Sequence, residues 1–217
     1  LGAGSLRKTK IVLAAFEEAR KPVSYYALDL SEPELRKSLE KLGHYDYVET
    51  IGLWGEYSDG MAYLRHVQST GRPLLVMWLG SSIGNLHRDD SDKFVRKLSQ
   101  FLNPGDQLLI GMDKRKEAPE IELAYNDPHG VTRDFILNGL RHLNHLMGRE
   151  VFDAGQFEYV NMYVDSAGRH EAYLKPLRDM SLSLSVNGYK HPIELKAGEL
   201  IFIECSYKYS DDEISNT

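Results

Sequence analysis

Apolar and polar positions change their period along the chain, and those changes divide it. Residues 6–20 set Leu6, Ile11, Leu13, Ala14, Ala15 and Phe16 among charges, the spacing of an amphipathic helix. Residues 23–30 (Val-Ser-Tyr-Tyr-Ala-Leu-Asp-Leu) predict a buried strand. Ser31, with Pro33 in the first turn and Glu34 three residues on, signals the start of a helix. Residues 45–53 predict a strand, 59–67 a short helix and 74–79 another strand. A helix over 89–102 stops at Asn103-Pro104-Gly105, and 107–112 reads as the next strand. Alternation of this kind predicts an α/β fold with a doubly wound, mostly parallel sheet.

After Asp113 the rhythm changes. Residues 117–125 and 131–147 have helical spacing, whereas 157–164, 170–175, 182–186 and 199–207 read as antiparallel strands. The expected organisation is a core formed by residues 1–115 plus 207–217, carrying an inserted α+β substrate-binding module at 116–206. The chain opens directly on Leu1-Gly2-Ala3-Gly4-Ser5, a turn that in such sheets follows a strand. The expectation is therefore a core truncated at both ends.

Composition removes several classes of function. The formal net charge is -6, and a phosphate-backbone binder needs a clustered basic excess, so nucleic acid is not an expected partner. The longest apolar runs, such as 73–80, are too short to span a bilayer, which argues against a membrane partner. A single cysteine, Cys205, allows no disulfide within the chain and suits the reducing cytoplasm. His142 and His145 lie three apart on a helix, but no third ligand is nearby. They read as surface histidines, and no metal is assigned.

Two features carry chemistry. Gly2 and Gly4 flank a turn before the first helix, where a backbone free of Cβ atoms lets a ligand approach the helix N-terminus. Asp29, at the tip of the next strand, is placed to accept hydrogen bonds from ribose hydroxyls. These residues alone fit either a nicotinamide or a methyl donor. The turn lacks the third glycine of the dinucleotide fingerprint, which disfavours a pyrophosphate. A small-residue loop, Gly80-Ser81-Ser82-Ile83-Gly84-Asn85, follows the strand at 74–79 and leaves space for a substrate beside the cofactor.

The tract Trp78-Leu79 followed by that loop resembles the signature of the histidine Nα-methyltransferases of ergothioneine biosynthesis. Residues 1–10, 25–30, 124–132, 135–144 and 203–209 resemble further blocks of the same family, in order. The resemblance implies a Rossmann-like class I methyltransferase that uses S-adenosyl-L-methionine. It implies donor contacts at Gly2, Gly4, Lys8 and Asp29, and adenine recognition by Glu56 and Tyr57, where bacterial members carry Asp-Phe. It implies that L-histidine is held by Gly80, Asn85 and Tyr125, with Asn85 and Tyr125 orienting the reacting amine. Glu204 and Ser206 are implied to read the imidazole; two residues apart on a strand, they share a face. Fusion to an iron-dependent sulfoxide synthase is implied for the fungal type.

The 4-dimethylallyltryptophan N-methyltransferases of ergot alkaloid synthesis share the stretches 168–172 and 205–209. Glu204 favours a polar imidazole over a prenylated indole, which needs an apolar wall. A non-catalytic methyltransferase-like module and, more distantly, a nicotinamide-dependent reductase are the competing classes.

Overall fold

The fold is described from a computed structural model and covers residues 1–186 and 189–216. Thr217, the last residue of the expected core segment, lies outside the described residues. The described residues divide into two compact units, Leu1–Asp113 with Asn216, and Lys114–Ser215.

Strand and helix alternate through the first unit. It contains α1 (Arg7–Glu18), β1 (Val23–Asp29), α2 (Glu32–Leu42), β2 (Val48–Trp54), α3 (Tyr57–Gln68), β3 (Leu75–Trp78), α4 (Arg88–Ser99) and β4 (Gln107–Ile110). β1 and β2 pair in parallel, from Val23 opposite Val48 to Asp29 opposite Trp54. β3 and β4 pair in the same sense, from Leu75 opposite Gln107 to Trp78 opposite Ile110. They form two separate two-stranded sheets. A cavity of about 930 Å³ is lined both by Val23, Tyr25 and Leu28 of β1 and by Leu75, Val76 and Met77 of β3.

The apolar periodicity of the helices is spent on two clusters. Leu6 and Leu13 pack with Leu42 of α2 and Val48 of β2. Leu98 of α4 packs with Met61 of α3 and Val76 of β3. α3 starts two residues earlier than its apolar spacing predicts. Asp59 accepts from the Glu56 backbone N–H at 2.8 Å and so satisfies a donor at the helix start. Ser31 occupies the N-cap of α2 with Pro33 in the first turn, but its side chain makes no capping bond. Asp29 Oδ1 accepts the Ser31 N–H instead, at 3.1 Å.

The second unit contains α5 (Ala118–Tyr125), α6 (Val131–Met147), β5 (Phe157–Val164), β6 (Arg169–Pro176), β7 (Met180–Val186), β8 (Tyr189–Leu195), β9 (Ile201–Tyr207) and α7 (Asp211–Ser215). β5, β6 and β9 form an antiparallel sheet, and β7 pairs with β8 as a separate ribbon. β8 is not foreseen from the sequence, because Pro192 interrupts its alternation. In a two-stranded ribbon a proline is tolerated, since one edge needs no ladder donor; Pro192 lies opposite Ser183.

One face of the three-stranded sheet has two halves. Its apolar half is Phe157, Ala172 and Leu174, which form a buried cluster with Ile136 and Leu140 of α6. The rest of the face is polar. Opposite pairs and the two-residue period put Tyr159, Asn161, Tyr163, His170, Glu204 and Ser206 on it. Tyr173 opposes Phe202 whereas Ala172 opposes Glu204, so Ile203 is an extra residue in β9. Among the described residues no helix is long and apolar enough to cross a membrane.

Candidate functional site

The first unit gathers several of the predicted cofactor residues at the C-terminal ends of β1 and β2. Gly2 and Gly4 have φ of 61° and 53°, left-handed values that suit residues without a Cβ. Asp29 Oδ2 accepts the Gly4 N–H at 2.8 Å, so the last residue of β1 holds the glycine turn in place. Ala3 N–H donates to Leu28 O at 2.8 Å and continues that tie. Each Asp29 oxygen accepts one backbone N–H and keeps lone-pair capacity for hydroxyl donors.

Tyr57 joins this group. A Cβ built on Gly2 would meet the Tyr57 hydroxyl at 3.2 Å, so the glycine permits a close approach. Trp78 Nε1 donates to the same hydroxyl at 3.2 Å. Glu56, the N-cap of α3, is exposed beside it, and Lys8 is exposed in the first turn of α1. Gly80, with φ of 86°, lines the cavity together with Gly2, Gly4 and Lys8. Ser81 follows it in the left-handed region, and its hydroxyl accepts the Asp113 N–H at 2.8 Å. Asn85 ends a single 3₁₀ turn, Ser82–Asn85, and is exposed.

The second unit brings together Tyr125, Ser206 and two residues that the sequence reading missed, His170 and Lys208. Tyr125 is the last residue of α5. Its ring stacks on the His170 imidazole with centroids 3.8 Å apart and planes 12° apart. Lys208 is 2% exposed and donates from Nζ to Tyr125 Oη at 2.7 Å and to Ser206 Oγ at 3.1 Å. Tyr159 Oη donates to the Tyr125 backbone carbonyl at 2.9 Å. Burial pushes the Tyr159 phenol up to about 12, and the charges of Glu204 and Tyr125 add to the shift. Desolvation raises the Glu204 carboxyl as well.

His170 is fully buried, and burial first, then the Lys208 charge, lowers its pKa to about 4. Both of its ring nitrogens are buried without a hydrogen-bond partner, as are Asn161 Oδ1 and Tyr163 Oη on the same face of the sheet. Asp127 has a different role from its neighbour Tyr125. Its carboxylate accepts from the Thr132 and Val131 N–H groups at 2.8 and 3.0 Å, which caps α6 and pulls its pKa down to about 2.

Two signals could have exposed the missed residues. Glu204, Ser206 and Lys208 continue one two-residue period, so the lysine shares the face of the other two. His170 lies opposite Ser206 in the antiparallel register. Among the described residues no three His, Cys, Asp or Glu side chains come together in a way that could hold a metal ion.

Comparison with known proteins gives these sites a context. The family model described as histidine-specific methyltransferase, SAM-dependent, matches residues 1–217. Ergothioneine biosynthesis protein 1 of Neurospora crassa is 37% identical over 98% of this chain, and its namesake in Schizosaccharomyces pombe is 37% identical over 98%. The chain covers 24% and 28% of those two proteins, about a quarter of their length. The 4-dimethylallyltryptophan N-methyltransferase of Aspergillus fumigatus is 29% identical over 98% of this chain, which covers 65% of it. The family implies S-adenosylmethionine as methyl donor, and the free acceptor capacity of Asp29 beside an open glycine turn fits its ribose. This mixed α/β chain belongs to the histidine-specific, S-adenosylmethionine-dependent methyltransferase family.

Proposed function

We propose that this chain is the methyltransferase part of an enzyme that converts L-histidine to trimethylhistidine (hercynine) in ergothioneine biosynthesis. The observation that carries the reading is the polar face of the β5-β6-β9 sheet. It offers Tyr125 and Ser206 hydroxyls, the Glu204 carboxylate and buried polar atoms without partners, a donor and acceptor set suited to a small zwitterion with a polar side chain. The two ergothioneine biosynthesis relatives, at 37% identity, also support histidine over dimethylallyltryptophan.

Bound S-adenosylmethionine supplies a sulfonium methyl for in-line transfer to the neutral α-amine. In this reading Asp29 accepts from the ribose hydroxyls, and Gly2 and Gly4 let the donor approach the backbone, with Lys8, Glu56 and Tyr57 around it. Gly80, Asn85 and Tyr125 orient the amino acid, and Glu204 and Ser206 hold its imidazole. The gain comes chiefly from positioning, for which roughly 7–11 kcal/mol is the available scale. A grip on carboxylate and imidazole, rather than on the amine, lets three methylations proceed in one pocket.

The same proposal extends to the fold. β1-β2 and β3-β4 are read as halves of one Rossmann-like, doubly wound sheet forming a core of residues 1–115 plus 207–217, with 116–206 as the substrate module. The Leu1 amine donates to Met77 O at 2.7 Å and Ala3 donates to Leu28 O at 2.8 Å, so this short stretch bonds to both β3 and β1. A cytoplasmic location fits Cys205, a buried free thiol. The greater length of the relatives is consistent with a fused iron-dependent sulfoxide synthase.

The test is mass spectrometry of the intact protein with S-adenosylmethionine and either L-histidine or 4-dimethylallyltryptophan. Mono-, di- and trimethylated histidine is the expected product series; methylation of the prenylated substrate alone rejects the reading. Calorimetry on Glu204→Ala is expected to show histidine binding falling far more than S-adenosylhomocysteine binding.

A further inference from the structure

Lys208 is not part of the substrate-reading set described above, yet it touches two members of it. Its Nζ lies 2.7 Å from Tyr125 Oη and 3.1 Å from Ser206 Oγ, and the side chain is buried. An ammonium carries three donors and no acceptor, so each hydroxyl must accept at this contact. The protons of both hydroxyls are therefore turned away from Lys208. A hydroxyl is normally a rotor that can donate or accept as its neighbours demand. Here one buried cation removes that freedom from two hydroxyls together.

We propose that Lys208 is a positioning residue that fixes Tyr125 and Ser206 as hydrogen-bond donors toward the amino-acid substrate. The proposal rests on reading this cluster as the amino-acid site. Tyr125 donates to the substrate carboxylate, and Ser206 donates to an acceptor nitrogen of the side chain. Glu204 shares the strand face with Ser206 and accepts. One acceptor and one fixed donor match a neutral imidazole, which has one N–H and one bare nitrogen. An indole has an N–H and no acceptor nitrogen, so it leaves the Ser206 proton unsatisfied. Lys208 thereby contributes to specificity without touching the substrate.

The partners of this lysine also explain why it can be buried. Besides its two hydroxyl acceptors it stands near His170, whose imidazole it helps to keep neutral. The stack of Tyr125 on His170 fixes the phenol ring from one face while Lys208 fixes its oxygen. The hydroxyl is thus held in place as well as in proton direction.

The test is a mutant cycle read by calorimetry on the intact protein with S-adenosylhomocysteine present. Lys208→Met keeps the aliphatic stem and removes the donors. It is expected to weaken L-histidine binding on the order of tenfold or more, as loss of a charge-assisted hydrogen bond does, and to leave S-adenosylhomocysteine binding unchanged. In a Tyr125→Phe/Ser206→Ala background the same change is expected to cost less than about twofold. A full additive loss in that background overturns the proposal. Should Lys208→Met fail to fold, Lys208→Arg and Lys208→Gln replace it. Arginine is also donor-only and is expected to retain most of the affinity, whereas glutamine offers an acceptor and is expected to lose it; equal affinities overturn the proposal. Wild-type protein that binds L-tryptophan but not L-histidine rejects the histidine reading and the Ser206 arm, while the Tyr125 arm is decided by the same cycle run on tryptophan. Binding of neither amino acid rejects both.

Discussion

His170→Phe isolates a buried titration whose size the structure allows to be worked out. The imidazole is fully buried, its nitrogens have no partners, and its pKa is lowered to about 4 from an unfolded value of 6.5. The unfolded chain therefore binds this proton more readily than the folded one. The stability contributed by the neutral ring is complete above pH 6.5 and is lost as pH falls toward 4. Integrating over those two pKa values gives a loss of about 1 kcal/mol by pH 6 and about 2 kcal/mol by pH 5. Phenylalanine keeps a flat ring against Tyr125 and removes the titration. Urea unfolding of both proteins at several pH values between 7.5 and 5 is the assay. The difference between them cancels every other titrating group, and the stability of the variant relative to wild type is expected to rise by about 2 kcal/mol from pH 7.5 to 5. Parallel pH dependences would refute the reasoning, because they would mean that His170 titrates alike in both states.

Other substitutions test separate parts of the description. Asp29→Ala removes the acceptor that holds Gly4 and is expected to weaken S-adenosylhomocysteine binding on the order of tenfold with histidine affinity little changed, by calorimetry. Leu140→Ala opens a cavity in the cluster under α6 and is expected to cost roughly 2–5 kcal/mol in urea unfolding. Arg169→Met strips the ion partner from Glu171, a carboxylate only 5% exposed, and is expected to cost about 3 kcal/mol. Changing Glu171 to Gln in that background is expected to recover most of the loss, which distinguishes an uncompensated charge from lost packing.

The sequence announced what depends on local period and left hidden what depends on partners far along the chain. The glycine turn and Asp29 were legible as neighbours, since a turn before the first helix and the tip of the next strand meet at one end of a parallel sheet, and Gly4 and Asp29 are hydrogen-bonded. The helix over Val131–Met147 followed from its apolar stripe, whose Ile136 and Leu140 are buried. β8 was not legible, since Pro192 and its polar neighbours look like a loop until β7 supplies a partner strand. Lys208 was hidden for a different reason. A lysine is a surface residue by default, and only a non-local partner such as Tyr125, 83 residues away, explains its burial. His170 reads as one histidine among eight until the register sets it opposite Ser206.

Ile203 has an importance out of proportion to its side chain. As the extra residue in β9 it advances the strand by one position between Phe202 and Glu204. Side chains alternate strictly along a strand, so that single insertion decides which side of the sheet each later residue meets. Were Ile203 paired regularly opposite Ala172 instead of bulged, Cys205 and Tyr207 would come to the face beside Tyr125, and Glu204, Ser206 and Lys208 would turn to the opposite side. All the chemistry of this strand is thus phased by one backbone irregularity. A homologue that carries the same residues without the irregularity would present a different surface to its substrate, and loss of the bulge could end recognition while leaving every recognised residue in place.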